Sequence, residues 1–297
     1  MNNHRYIAFG YSTRCNLRCE HCVASNEIIK NAKMELDTAR AVISEMARSN
    51  VAGISFTAGE PFLYIDDICE LVHLCEKNGI YSRIVTNVFW AKTQEQSDII
   101  VSKLKLFGLS QLRISYSRWH KKNIWQDNII NAAASCEKHG LDYFISFVTD
   151  FSEHDDPIEQ FLRDNNLKYF PESLIYSGRA KDFVRPEIFT DYYPNTCPMN
   201  PYFTPDLDMF ACCDAGSQFT NTNFFYLGNH KNNNIDELFQ KKETNVLYNM
   251  IRTLGLSKMA LSLGFKAREI VKYRKCELCE KLFNSPENLK KLDLGSL

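Results

Sequence analysis

Cysteine is the residue type with the most chemistry to offer in this 297-residue chain, which holds 11 at uneven spacing. Three of them fall in the segment Ser12-Thr13-Arg14-Cys15-Asn16-Leu17-Arg18-Cys19-Glu20-His21-Cys22, a C-x3-C-x2-C pattern. Three thiolates so close on one loop can hold three corners of a cubane iron–sulfur cluster, leaving one iron open to a substrate or cosubstrate. Zinc is the alternative, although His21 wedged between two of the ligands suits a tetrahedral finger poorly. A second set comprises Cys197, the adjacent pair Cys212-Cys213, and the C-x2-C of Cys276-Glu277-Leu278-Cys279. Cys75 and Cys136 follow apolar residues on helical stripes and Cys69 adjoins the first stripe, so these three read as small buried core residues.

Composition sets the compartment for this chemistry. The chain is 44% hydrophobic and 24% charged, with 35 basic and 36 acidic side chains and a net charge of -1. This excludes a disordered tail, a collagen and a polyanion-binding protein, and nucleic acid is not an expected partner. After the polar start Met1-Asn2-Asn3-His4-Arg5 there is no apolar stretch of secretory or membrane length, so no integral membrane segment is expected. A cytoplasmic protein with reduced thiols follows, and in that compartment clustered cysteines are metal ligands or catalytic groups more often than bridges.

The elements that must position the cysteines repeat one unit: a short β-branched or aromatic run, a loop, and an amphipathic helix. Strands are expected at Tyr6 to Tyr11, Gly53 to Thr57, Tyr81 to Thr86, Leu112 to Tyr116, Tyr143 to Val148 and Lys168 to Tyr176. Helices are expected at Asp37 to Ser49, Asp66 to Asn78, Thr93 to Leu106, Gln126 to His139 and Pro157 to Asn165. Thr93 to Gln96 reads as a capping box, and Gly79, Gly108 and Gly140 sit where a left-handed residue would stop a helix. Six such units imply an α/β fold of parallel strands, too few to close an eight-stranded barrel, so a curved partial (β/α)6 barrel or an open sheet is expected, with chemistry at the strands' carboxyl ends in either.

The rhythm breaks after Tyr176, where Pro186, Pro194, Pro198, Pro201 and Pro205 crowd together. Residues 1–185 are therefore assigned to the barrel and residues 186–297 to a small C-terminal α+β module. That module opens on a hairpin, Tyr202 to Pro205 and Met209 to Cys212 around Asp206-Leu207-Asp208. Helices follow at Ile235 to Lys242 and over Val246 to Arg274, interrupted near Gly255 and Gly264. Residues 240–297 carry 12 Lys and Arg against 6 Asp and Glu, read as a solvated basic face.

The pattern C-x3-C-x-aromatic-C after the first strand of a (βα)6 repeat resembles the radical S-adenosylmethionine (SAM) enzymes over essentially the whole chain. The resemblance implies a [4Fe-4S] cluster on Cys15, Cys19 and Cys22. SAM would bind the open iron through its amino and carboxylate groups and be cleaved to methionine and a 5′-deoxyadenosyl radical. His21 stands where Tyr or Phe is usual, a flat ring beside adenine. Thr57-Ala58-Gly59-Glu60-Pro61 resembles the family's Gly-Gly-Glu-Pro segment, with Ala58 for the first Gly, and implies that Ala58, Gly59 and Glu60 border the SAM amino group. Thr86-Asn87 resembles a pair bordering the cosubstrate, and Ser115 a serine that meets the ribose.

The second cysteine set resembles the auxiliary-cluster module called twitch, the short form of the SPASM domain. This implies a second [4Fe-4S] cluster on Cys197, Cys212, Cys276 and Cys279. The module offers one cysteine more than a cluster takes. Neighbours in a strand point to opposite faces, so Cys213 would be spare beside a ligating Cys212.

A carbon radical made by hydrogen abstraction can lose an electron, be captured as a cross-link, or regain hydrogen on the opposite face. The last fate needs a protonated thiol, and Cys213 is the cysteine placed for it. The segments 54–60, 86–90, 114–120, 212–213 and 276–285 resemble the peptide epimerases that make epipeptides, turning L-residues of a ribosomal precursor peptide into D-residues. A one-electron reductant such as flavodoxin or ferredoxin is implied. The alternatives are thioether or carbon–carbon cross-linking of a peptide, epimerisation or dehydrogenation of an aminoglycoside-like small molecule, and an iron–sulfur binding protein without turnover.

Overall fold

In a computed structural model of the chain, residues 5–24, 30–185 and 195–293 are described. Pro186, Pro194 and residues 1–4 lie outside the described residues. The chain divides into two compact units, Met1–Glu20 with Ile28–Leu174, and His21–Glu27 with Ile175–Leu297.

The first unit alternates strands β1 (Arg5–Ser12), β2 (Val51–Ala58), β3 (Tyr81–Thr86), β4 (Gln111–Tyr116), β5 (Asp142–Thr149) and β6 (Tyr169–Ser173) with helices. The helices are α1 (Leu36–Arg48), α2 (Ile65–Lys77), α3 (Gln94–Leu106), the short α4 (Arg118–Lys121), α5 (Gln126–Lys138) and α6 (Asp156–Asp164). Each strand pairs in parallel with the next in sequence, which makes this unit the partial (β/α)6 barrel expected. Period-two alternation decides which strand face goes where. Ile84, Leu112, Ile114, Tyr116 and Ile145 are fully buried, and the Tyr116 ring meets Phe161 of α6 edge-on at 5.9 Å. Their alternates Arg83, Val85, Gln111, Arg113, Ser115 and Phe144 are half-exposed on the other face. Thr93 Oγ1 caps α3 by accepting from Gln96 N at 3.2 Å. Positive φ falls at Gly79, Gly108 and Gly140, where each preceding helix stops.

In the second unit, β7 (Tyr202–Phe203), β8 (Asp208–Phe210) and β9 (Tyr226–Asn229) form an antiparallel meander. The hairpin is present, but β8 ends at Phe210, so Cys212 and Cys213 are not strand residues as expected. Ala211 N still reaches Phe225 O at 2.8 Å, and the chain then turns into the 3-10 segment Ala215–Gln218. Helices α7 (Ile235–Thr244), α8 (Val246–Thr253), α9 (Leu256–Ser262), α10 (Ala267–Ile270), α11 (Lys275–Phe283) and α12 (Pro286–Asp293) follow. Cys276 and Cys279 lie on α11, whose Leu278, Leu282 and Phe283 are fully buried. The core of this unit is aromatic: Phe224 stacks on Phe283 at 4.4 Å, and Phe225 on Tyr248 at 5.8 Å. Among the described residues no helix is long and apolar enough to cross a membrane.

Candidate functional site

In the first unit, the carboxyl ends of β1, β2 and β3 are joined by backbone and side-chain bonds. Gly59 N donates to Ser12 O at 3.1 Å, and Glu60 N to Arg14 O at 2.7 Å. A Cβ on Gly59 would lie 1.8 Å from Arg14 O, so only glycine lets the loops after β1 and β2 come this close. Ala58 just before it has a φ of 89°, in the left-handed region that an alanine occupies only with strain. Here the departure from Gly-Gly is a conformational cost, not merely a small change of volume.

Glu60 is 2% exposed, and three donors fix its carboxylate. Thr86 Oγ1 and Phe62 N donate to Oε1 at 2.8 and 3.2 Å, and Asn87 N donates to Oε2 at 2.8 Å. Burial raises its pKa to about 7, with these three donors opposing the rise. Trp90 Nε1 donates to Thr86 Oγ1 at 3.2 Å, and the buried Trp90 ring stacks on Phe62 at 4.6 Å. Asn87 Nδ2 then reaches Asn16 Oδ1 at 2.9 Å, inside the cysteine loop. Leu17 N lies 3.4 Å from Cys15 Sγ, an amide aimed at a sulfur that would carry charge as a ligand. Cys15 and Cys19 are half-buried on this loop. Ser115 is half-exposed on β4, in register with Ser146.

His21 and Cys22 fall in the second unit. There Arg179 N donates to Cys22 O at 3.2 Å, and a Cβ on Gly178 would meet that oxygen at 2.5 Å. Burial raises the Cys22 pKa, opposed by the Arg179 charge.

The second unit brings Cys197, Cys212, Cys276 and Cys279 to the wall of one cavity of about 20 Å³, shared with Met199, Gly216 and Phe225. Gly216 is needed for this approach, since a Cβ there would meet Cys212 Cβ and the Phe225 ring at 2.8 Å. Asp214 N donates to Cys212 Sγ at 3.4 Å. Burial pushes the Cys212 thiol up to about 12 and those of Cys276 and Cys279 well above their ordinary value. Such thiols release protons when a metal group takes them as ligands. Among the described residues no group of three or more His, Cys, Asp or Glu converges on a single ion. Four thiols around a cavity are the donor set a cubane takes. Cys213 is not in that wall, and its Sγ lies 3.7 Å from Asp214 Oδ2. Cys69, Cys75 and Cys136 are buried, as expected of core residues.

Asn16 has no part in the sequence reading, and Thr86, read there as one of a pair bordering the cosubstrate, here holds the Glu60 carboxylate. The one signal for Asn16 was its place between two cysteines.

Residues 10–165, just over half the chain, match the Radical SAM superfamily, and the chain belongs to that superfamily. Membership implies SAM and one [4Fe-4S] cluster. YydG of Bacillus subtilis (strain 168), named for peptide biosynthesis, is 23% identical over 301 residues, covering 95% of this chain and 93% of YydG. PqqA peptide cyclase of Rhodopseudomonas palustris is 29% identical over 104 residues, covering 35% of this chain and 26% of the cyclase. Among solved structures, anSMEcpe with bound AdoMet and Cp18Cys peptide has a TM-score of 0.59 at 14% identity, covering 90% of this chain and 88% of that one. BtrN with AdoMet and 2-DOIA has a TM-score of 0.54 at 12% identity, covering 86% and 89%.

Proposed function

We propose that this chain is a peptide-modifying radical SAM enzyme that converts selected L-residues of a ribosomal precursor peptide to D-residues, with Cys213 returning hydrogen to Cα. The observation that carries this reading is the separation within the adjacent pair: Cys212 borders the four-thiol cavity and Cys213 does not. Relatives named for peptide biosynthesis and peptide cyclisation support a peptide as substrate. In this reading Cys15, Cys19 and Cys22 hold the SAM-binding cluster, and Cys197, Cys212, Cys276 and Cys279 an auxiliary one. His21, Ala58, Gly59, Glu60, Asn87 and Ser115 border SAM. The two modules divide near residue 185, and the setting is cytoplasmic.

Bound SAM and its reduced cluster supply the radical that removes the Cα hydrogen. The carbon left behind is planar or nearly so, and its new configuration depends on the face that is quenched. The Cys213 S–H bond breaks as a Cα–H bond forms on the opposite face. One electron from a carrier such as flavodoxin or ferredoxin and one solvent proton then restore the thiol. Burial, with the Asp214 carboxylate beside the sulfur, raises the Cys213 pKa and keeps the thiol protonated for this task.

The test is turnover of the precursor peptide in heavy water, with chiral analysis of the product. Each new D-residue should carry one deuterium, and Cys213→Ala should form 5′-deoxyadenosine but little D-product. Wild-type labelling and rate in Cys213→Ala would refute the assignment. A product two mass units lighter in ordinary water would favour cross-linking, the reaction class to which the matched cyclase segment points.

A further inference from the structure

The face of β3, β4 and β5 turned away from the helices carries an arginine, Arg83, that no carboxylate pairs with among the described residues. Arg83 lies beside Gln111 and Arg113 beside Phe144 in the strand register, and both guanidinium groups sit 5.6 Å from the centre of the Phe144 ring. Arg113 is compensated: its Nη2 pairs with the Glu172 carboxylate and lies 3.0 Å from Ser146 Oγ, which donates to Glu172 at 2.7 Å. Among the described residues Arg83 has no carboxylate within ion-pair distance. The other acid on this register row, Asp142, accepts from Gln111 Nε2 at 2.5 Å. The Nε atoms of Arg83 and Arg113 are buried without an acceptor, and Gln111 Oε1 without a donor.

Two guanidinium groups share one ring while the Glu172 carboxylate pairs with Arg113 alone, so they repel each other in this half-buried setting unless a second anion joins. The buried donors call for carboxylate oxygens, Gln111 Oε1 calls for an N–H close by, and Phe144 offers an apolar wall for a short stem. A carboxylate on a peptide supplies all three. The SAM carboxylate is not the partner of these donors, since the family resemblance assigns it to the open iron. We propose that Arg83 and Arg113 bind a carboxylate of the peptide substrate, and so select and position it. This rests on the reading that the substrate is a peptide.

The test is calorimetric titration of the cluster-loaded enzyme with three probes. Acetyl-Gly-Glu-Gly-amide carries a side-chain carboxylate, acetyl-Gly-Gln-Gly with a free terminus carries a main-chain one, and acetyl-Gly-Gln-Gly-amide carries none. One acidic probe should bind at least tenfold tighter than the neutral one, and its identity gives the source of the carboxylate. The preference should vanish in Arg83→Gln, survive in part in Arg83→Lys, and grow in Glu172→Gln, with folding of each checked by circular dichroism. Equal binding of all three probes, a preference kept in Arg83→Gln, or competitive loss of it with saturating SAM would overturn the proposal. Binding needs no turnover, so the two readings fail separately. Acid-selective binding without D-product removes only the epimerisation, and D-product without acid selectivity removes only this site.

Discussion

The side-chain amide of Asn87, just after β3, donates to the side-chain oxygen of Asn16 at 2.9 Å across 71 residues of sequence. Asn16 lies between Cys15 and Cys19, so this bond ties the cysteine loop to the same turn whose backbone holds Glu60. Asn87→Ala removes the tie and leaves the thiols in place. A bond of this kind contributes about 1 kcal/mol, so SAM should bind about fivefold more weakly while iron content is unchanged. Asn16→Ala isolates this bond and should cost about that much, Asn87→Ala should cost at least as much because its Oδ1 also accepts from Phe89 N at 3.1 Å, and the double variant should be no worse than Asn87→Ala. Equilibrium SAM binding across the four proteins checks this.

Ala58 and Gly59 respond oppositely to a single methyl group. Ala58→Gly relieves a positive φ and should raise stability by about 1 kcal/mol, or about 2 °C in melting temperature. Gly59→Ala forces a methyl to within 1.8 Å of Arg14 O, so the loops after β1 and β2 must part. It should lower the melting temperature and abolish SAM binding. Thermal melts with and without SAM measure both.

Glu60 makes stability depend on pH in a direction opposite to that of an ion-paired carboxylate. Its pKa rises from 4.5 unfolded to about 7 folded, so between these values the folded state holds the extra proton. Stability from this group is therefore present below pH 4.5 and declines as pH climbs towards 7. The decline amounts to about 3 kcal/mol at most, taking roughly 1.4 kcal/mol per pKa unit. Glu60→Gln cannot titrate, so the difference in unfolding free energy between wild type and variant should drift in favour of the variant from pH 5.5 to 7.5. Denaturant unfolding at several pH values reads this slope, and a flat difference would sink the assignment.

Much of the barrel was legible because strand and helix periods differ and the breaks carry their own residues. The limits of β3 were read as they stand, Tyr81–Thr86, since alternation runs unbroken between two turns. The strand expected to run to Tyr176 stops at Ser173, where Leu174 N bonds Thr149 O and leaves the ladder. Cys276 and Cys279 lie beyond the last helix read from the sequence, Val246 to Arg274, and stand on a helix of their own. Arg274 N donates to Glu277 Oε2 at 3.3 Å across its first turn, and the four-residue spacing of the buried Leu278 and Leu282 is the signal the sequence carries for it. The third strand of the meander, Tyr226–Asn229, is four residues long and ends in Gly228-Asn229, too short for its alternation to register. Contacts such as Asn16 to Asn87 or Arg83 to Phe144 join separate βα units, and local spacing holds no record of them.

The adjacent pair Cys212 and Cys213 makes the last prediction, one that iron counting can decide. Cys212 shares a cavity wall with Cys197, Cys276 and Cys279, receives the Asp214 amide at 3.4 Å, and sits against Gly216. Cys213 faces Asp214 Oδ2 and shares no part of that wall. If the four cavity thiols ligate one cluster and Cys15, Cys19 and Cys22 another, Cys212→Ala or Cys276→Ala should lower iron and sulfide by about half. Cys213→Ala should keep the full complement, and so should Cys75→Ala, whose thiol is buried in α2. Replacing Cys15, Cys19 and Cys22 together should also leave about half the iron, now without SAM cleavage. Cys213→Ala with half the iron and Cys212→Ala with all of it would exchange the two roles. In that case the hydrogen donor would be Cys212, and Cys212→Ala would be the variant that consumes SAM without yielding D-product.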